Sequence, residues 1–313
     1  MKNIVFYMEP DWAFGSLHYE LFKFLWAYGF NCQLLSWKQA YTKQEIYELD
    51  QHIDAWVTTP HGYRYLQYVY ETIPPERCIV IAHAPLDINE LIHHHGVEDF
   101  YKFKGYGVVS EFLKECNIAA GITRIPQVCP LGINFHTYAN TPNDSLQSIG
   151  FGGSYHERSE FSDSDILSNL AQPKYKKRGY LAKECAELTG LDFKIAQHYH
   201  NSFVTMSGFY KAVDCVIIPS AEEGAGLPAL EAGAAGKLVI DTPVGHWNQK
   251  IGEKGGITVP IPEAEFIKVT VDTLNYYKET PIEYRMKCQE IQEHAKSYDW
   301  KFVIHHWINL LNT

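Results

Sequence analysis

Three absences narrow the reading of this 313-residue chain before any motif is considered. There is no basic excess: 27 Lys and Arg stand against 37 Asp and Glu, a formal charge of −10. Nucleic acid is usually met by a basic face and anionic lipid by basic clusters, so neither is expected as a partner. No apolar run approaches the roughly 20 residues of a membrane span. The opening stretch Met1 to Met8 turns polar at Glu9, too early for a secretory signal. No C-x-x-C pair occurs among seven scattered cysteines (Cys32, Cys78, Cys116, Cys129, Cys185, Cys215, Cys288). They read as reduced core thiols of a cytoplasmic protein, neither a disulfide frame nor a zinc site.

What is present is a rhythm. Short apolar runs, Lys2–Tyr7, Asn31–Trp37, Ala55–Thr58, Cys78–Ala82 and Gly107–Val109, alternate with amphipathic stretches such as Leu17–Tyr28. That order predicts βαβ units on a parallel sheet with helices on both faces. The pattern dissolves over Tyr138–Ser148, rich in Asn, Thr, Pro, Asp and Ser, and restarts at Ile149-Gly150-Phe151-Gly152-Gly153. Strands follow at Phe193–Ala196, Cys215–Ile218, Leu238–Asp241 and Gly256–Val259, with a helix near Gly179–Thr189 and a helical tail over Pro281–Asn312. At about 150 residues per domain the length suits two α/β domains, 1–140 and 141–296. A polar, irregular excursion spans His156–Tyr175.

One segment concentrates chemistry: Pro219-Ser220-Ala221-Glu222-Glu223-Gly224-Ala225-Gly226-Leu227-Pro228-Ala229-Leu230-Glu231-Ala232, between the strand Cys215–Ile218 and a helix of small residues. Gly224 and Gly226 allow a tight turn and close backbone approach to a ligand. Pro228 suits the first helical position, where its missing N–H costs nothing. A helix N-terminus at the carboxyl edge of a parallel sheet is where α/β folds hold phosphates. Glu223 in the turn and Glu231 in the first turn of the helix would repel a diphosphate unless they faced hydroxyls, since an ionised carboxylate only accepts hydrogen bonds. A phosphate bridge with a hydroxyl-bearing ring on either side meets both demands, and that ligand is a nucleotide-sugar. An isolated Glu-x7-Glu would merely suit the helix dipole; four cues in register point further.

The run Glu223-Gly224-Ala225-Gly226-Leu227-Pro228-Ala229-Leu230-Glu231-Ala232, continuing to Gly236-Lys237-Leu238-Val239-Ile240, resembles the signature of retaining glycosyltransferases of the GT-B fold, family four, the glycosyl transferases group 1. Tyr210, Asp214, Thr242 and Gly245 resemble its flanks; Pro130-Leu131-Gly132-Ile133-Asn134 and Tyr298-Asp299-Trp300 resemble its domain junctions. The resemblance implies two Rossmann-like domains facing across a cleft, with a C-terminal helix (297–313) crossing back to the N-terminal domain. It implies Glu231 on the ribose, Glu223 by the donor sugar, and the backbone of Gly224, Ala225, Gly226 and Leu227 around the phosphates. His83 would reach the donor sugar, and Gly15 would stand in a loop near the diphosphate. The family's diphosphate-binding Arg and Lys have only loose counterparts: Arg178 or Lys177 as one cation and Arg158 as the other. Ala225 and Gly233 stand where the family has Phe and Met. The expected reaction moves a sugar from a nucleoside-diphosphate sugar to an acceptor hydroxyl on a saccharide, lipid-linked glycan or glycoprotein, in glycan or glycoconjugate synthesis. It needs no cofactor and no divalent metal.

Other candidates carry less. His93-His94-His95 reads as a surface patch, because consecutive histidines cannot converge on one ion. His198, Tyr199 and His200 follow a strand at its carboxyl edge, where an ordinary structural role is the commoner reading and contact with base or phosphate the alternative. Trp12, Phe14 and Tyr19 suit either a sugar platform or core packing. Leu17–Tyr28 has only Lys23 as a basic residue, so core packing is preferred there over the peripheral membrane contact that a lipid-linked acceptor would invite. The rival readings are an epimerase, a phosphorylase, and a catalytically silent nucleotide-sugar binder or partner subunit.

Overall fold

A computed structural model describes residues 1–9, 13–71, 73–160, 176–196, 203–245 and 255–313. The chain divides into two compact units, residues 1–132 with 300–313, and residues 133–299. Both are parallel α/β layers.

In the first unit the strands are β1 (Lys2–Tyr7), β2 (Phe30–Leu35), β3 (Ala55–Thr58), β4 (Cys78–Ala82), β5 (Gly105–Val108) and β6 (Gln127–Val128), in the order β2-β1-β3-β4-β5-β6. Strands β3 and β4 are buried at every residue, as a sheet covered on both faces requires. The helices are α1 (Ala13–Trp26), α2 (Lys43–Asp50), α3 (Pro60–Tyr70), α4 (Pro85–His95), α5 (Glu111–Ala119) and, from the C-terminus, the last helix Trp300–Leu311. That helix lies on β5. A Cβ at Gly107 would stand 2.8 Å from Leu310 and one at Gly105 2.9 Å from Thr313, so the two glycines make room for it. Gln127 donates to the His306 carbonyl at 2.6 Å and the Trp307 indole to that of Pro130 at 2.9 Å. Helix α1 starts four residues before the expected Leu17, so Gly15 is helical and not part of the preceding loop.

The second unit holds α6 (Phe135–Tyr138), β7 (Ser148–Phe151), α7 (Gly179–Thr189), β8 (Asp192–Ile195), α8 (Phe203–Lys211), β9 (Cys215–Ile218), α9 (Leu227–Ala234), β10 (Leu238–Asp241), β11 (Ile257–Thr258), α10 (Glu263–Glu279) and α11 (Pro281–Lys296); the last helix is α12. Residues 133–140, assigned from sequence to the first domain, pack here: Tyr138 enters this core, because its ring meets Tyr210 at 6.0 Å. The sheet order is β11-β10-β9-β7-β8, all parallel. Chain order reverses between β7 and β9, whose registers pair Ile149 with Cys215 and Gly150 with Val216. Open α/β sheets bind ligands outside the carboxyl ends of the strands at such a reversal.

All seven cysteines are free, five buried and two half-buried. Among the described residues no helix is long and apolar enough to cross a membrane, and no group of three His, Cys, Asp or Glu side chains is placed to hold a metal ion.

Candidate nucleotide site of the second unit

The reversal point brings two backbone segments together. After β7 the chain turns at Gly152-Gly153; after β9 it runs through Pro219–Gly226 into α9. A Cβ at Gly152 would lie 3.5 Å from Pro228, in ordinary contact with the start of α9. Gly226 caps that helix in the left-handed region, φ 72° and ψ 45°, and among the described residues a Cβ there would meet nothing within 4 Å. Leu227 is the first helical residue and Pro228 the second, one position later than the sequence suggested. Gly245, also left-handed at φ 77°, leans on the turn: its Cβ would stand 3.1 Å from the Ala225 carbonyl carbon and 3.3 Å from Glu223 Cβ. Thr242 ties the exit of β10 to the turn by donating to the Ser220 carbonyl.

The charged residues fall into two groups. Lys177 pairs with Glu223, which also accepts from Ser220 Oγ at 2.7 Å. Lys176 pairs with Glu222, and its carbonyl accepts from the Ala221 N–H at 2.7 Å. The strip 176–177 is thereby sewn along the turn. Arg178 departs from its expected role. It is 4% exposed and left-handed at φ 46°, and its Nε and Nη1 donate to the carbonyls of Pro219 and Ile261 at 2.6 Å each. Burial lowers its pKa, and its guanidinium lies 6.0 Å from the Phe266 ring. Arg178 therefore braces the strand ends, and Lys176 and Lys177 are the cations paired along the turn. Arg158 is exposed, with its guanidinium 5.6 Å from the Tyr180 ring.

Glu231 also differs from expectation. It is the fifth helical residue and not part of the first turn, and it is 9% exposed. Its Oε1 accepts from Tyr138 at 2.9 Å and its Oε2 from Tyr210 at 2.7 Å. Burial raises its pKa while the two phenols pull it down. Sequence reasoning missed both tyrosines as partners, although a buried phenol usually has a hydrogen-bond partner and Tyr210 stood in the motif's flank.

In the first unit, His83 follows β4 and is 2% exposed. Its backbone N–H donates to Asp87 Oδ2 at 2.8 Å, and its ring centroid is 5.8 Å from that of His18. Burial, with His18 second, lowers its pKa well below the usual histidine range. His93 is exposed near the end of α4. Tyr19 is 52% exposed. Trp12, His198, Tyr199 and His200 lie outside the described residues.

Two parallel sheets, with a glycine turn and two flanking acids at the reversal point of the second, make the GT-B fold. Residues 176–275, the stretch that carries the turn, match the family described as Glycosyl transferases group 1. The fold is similar to that of sucrose-phosphate synthase from Thermosynechococcus elongatus, with a TM-score of 0.70, 12% identity and coverage of 100% of this chain and 98% of that one. HepE from Anabaena, solved in complex with UDP-glucose, gives a TM-score of 0.65 at 13% identity with both chains fully covered. A glycosyltransferase from Rickettsia africae gives 0.64 at 16% identity, covering 98% and 97%. No curated protein matches the chain in sequence.

Proposed function

We propose that the protein transfers a sugar, with retention at the anomeric carbon, from a nucleoside-diphosphate sugar to an acceptor hydroxyl in glycan or glycoconjugate synthesis. The observation that carries this reading is the Gly224–Leu227 turn at the β7/β9 reversal, left-handed at Gly226 and open where a phosphate would approach. The backbone of the turn and the partial positive charge of α9 receive the diphosphate. Lys177 supplies the counter-charge. Its pair with Glu223 is part-exposed, 32% and 13%, and such pairs are worth about 1 kcal/mol or less. One unit charge of a phosphate about 4 Å from the ammonium offers about 4 kcal/mol at an effective dielectric constant of about 20. The phosphate wins, Lys177 turns to it, and Glu223 is released to accept from donor-sugar hydroxyls. Glu231 accepts from the ribose. His83, kept neutral by burial, is suited to hydrogen-bond a sugar hydroxyl at pH 7.

In the reaction the bond from the anomeric carbon to the diphosphate oxygen breaks and the bond to the acceptor oxygen forms on the same face. The acceptor proton passes to the leaving phosphate oxygen. Fixed amides and Lys177 stabilise the departing charge, so no divalent metal is required. The relatives solved with UDP or UDP-glucose support a uridine donor as the first to try. Incubation with a panel of nucleotide-sugars, with and without saccharide acceptors, is the test. Release of nucleoside diphosphate that Glu223→Gln abolishes is the expected result, and turnover unchanged in Glu223→Gln overturns the reading. One observation favours the silent binder: Arg178 is turned inward onto the carbonyls of Pro219 and Ile261 and supplies no charge at the turn. Binding of nucleotide-sugars without release of diphosphate would select it.

A further inference from the structure

Glu231 is a carboxylate that burial alone would push toward the neutral form, and a neutral acid is a poor acceptor for two hydroxyls. Two phenols oppose that. Tyr138 donates to one carboxylate oxygen and Tyr210 to the other, at 2.9 and 2.7 Å. Each oxygen has two lone-pair sites, so each retains one after accepting. The phenols are themselves 2% and 0% exposed and come from separate helices, α6 and α8, with their rings 6.0 Å apart at 63°. The carboxylate is therefore gripped at both ends. The grip borders the reversal point, since a Cβ at Gly152 would lie 3.4 Å from Tyr210 Oη. Burial and these two phenols are the causes of the shift at Glu231; among the described residues they are the titratable groups that face it.

We infer that Tyr138 and Tyr210 are a pair of positioning residues that hold Glu231 ionised and turned as a two-pronged acceptor for the vicinal hydroxyls of a ribose. The inference rests on the donor reading above and adds a specificity to it. With one oxygen assigned to each hydroxyl, a nucleotide that lacks the 2′-hydroxyl leaves a buried acceptor without its donor. A site built in this way discriminates strongly against the missing group. The pair thus selects ribonucleotides over deoxyribonucleotides whatever the base.

The test is titration of the full-length protein with UDP and with 2′-deoxy-UDP by calorimetry between pH 5 and 8.5, for wild type, Tyr138→Phe, Tyr210→Phe and Glu231→Gln. Phenylalanine keeps the ring and removes only the donor. Each Phe variant should weaken UDP about tenfold at pH 7, a low value for a hydrogen bond to a charged group. Its acid-side midpoint for UDP affinity should move to higher pH than in wild type, because Glu231 then protonates more easily, and raising the pH should restore much of the loss. Wild type should bind 2′-deoxy-UDP more weakly than UDP, and a Phe substitution added to Glu231→Gln should cost little more. Phe variants that lose affinity with an unmoved midpoint would show a packing role only, and Phe variants that bind like wild type would show an idle pair. Either result overturns the inference and leaves the donor reading standing. Wild type that binds UDP and 2′-deoxy-UDP equally removes the ribose from Glu231 and the inference with it. Absence of binding by UDP, ADP and GDP to wild type overturns the donor reading itself. Should a Phe variant fail to fold, Glu231→Gln decides alone: it must flatten the acid-side difference.

Discussion

Replacing Gly226 separates two reasons for a glycine at the start of α9. Its φ of 72° is costly for a side-chain-bearing residue, and its Cβ position is empty to 4 Å. Among the described residues alanine there meets no atom within 4 Å, so the structural cost against them is backbone strain alone, about 1–2 kcal/mol. Exchange protection of the Leu227–Ala234 amides should fall by a factor of about 5–30. Asparagine tolerates the left-handed region better, so Gly226→Asn should regain much of that protection. Nucleotide binding should not follow, because on the proposed function the empty space beside Gly226 is where a phosphate sits, and either new Cβ stands in it. Hydrogen exchange and UDP titration on Gly226→Ala and Gly226→Asn give both answers from the same preparations. Gly226→Asn that binds UDP like wild type would remove the diphosphate from this turn. Gly245→Ala is the contrast: it adds to a similar strain a contact at 3.1–3.3 Å with the turn itself. Its protection loss should exceed that of Gly226→Ala.

Three further outcomes are expected. Lys177→Met should change the unfolding free energy measured in urea by no more than about 1 kcal/mol, as a part-exposed pair allows, while weakening UDP at least about tenfold and flattening its salt dependence; unchanged affinity would remove Lys177 from the site. His83 titrates near 6.5 when unfolded but resists protonation when buried, so the unfolded chain binds the extra proton and stability falls as pH drops below about 6.5. His83→Gln should shrink that fall between pH 7.5 and 5.5, measured by tryptophan fluorescence, and an undiminished fall refutes the assignment. Gly132→Ala would put a Cβ 2.4 Å from the Trp300 ring and 2.9 Å from Val303, so the first unit should lose about 1–3 kcal/mol or more by overpacking in the same assay.

Much of the fold was legible because the strands of a covered parallel sheet are short, continuously apolar runs. Lys2–Tyr7, Ala55–Thr58, Cys78–Ala82, Cys215–Ile218 and Leu238–Asp241 announce themselves residue for residue. The start of α1 was less legible, since Ser16 is a favoured N-cap type directly before Leu17, yet the helix already runs from Ala13. The 219–232 segment was legible because glycine, proline and carboxylates at fixed spacing leave few backbone solutions.

The amino-acid order by itself determined the alternation of strand and helix, the glycine turn and the presence of two acids around it. These are local matters, decided by periodicity, by backbone freedom at glycine and by the missing N–H of proline. Only the tertiary structure decided what each charge faces. Arg178 and Lys177 are adjacent in sequence, yet one is buried on the carbonyls of Pro219 and Ile261 and the other meets Glu223, because a left-handed residue before α7 sends their side chains to different neighbours. Tyr138 comes 93 positions before the carboxylate it grips. A contact at that separation is set by how α6, α8 and α9 pack, and local sequence pattern does not encode it.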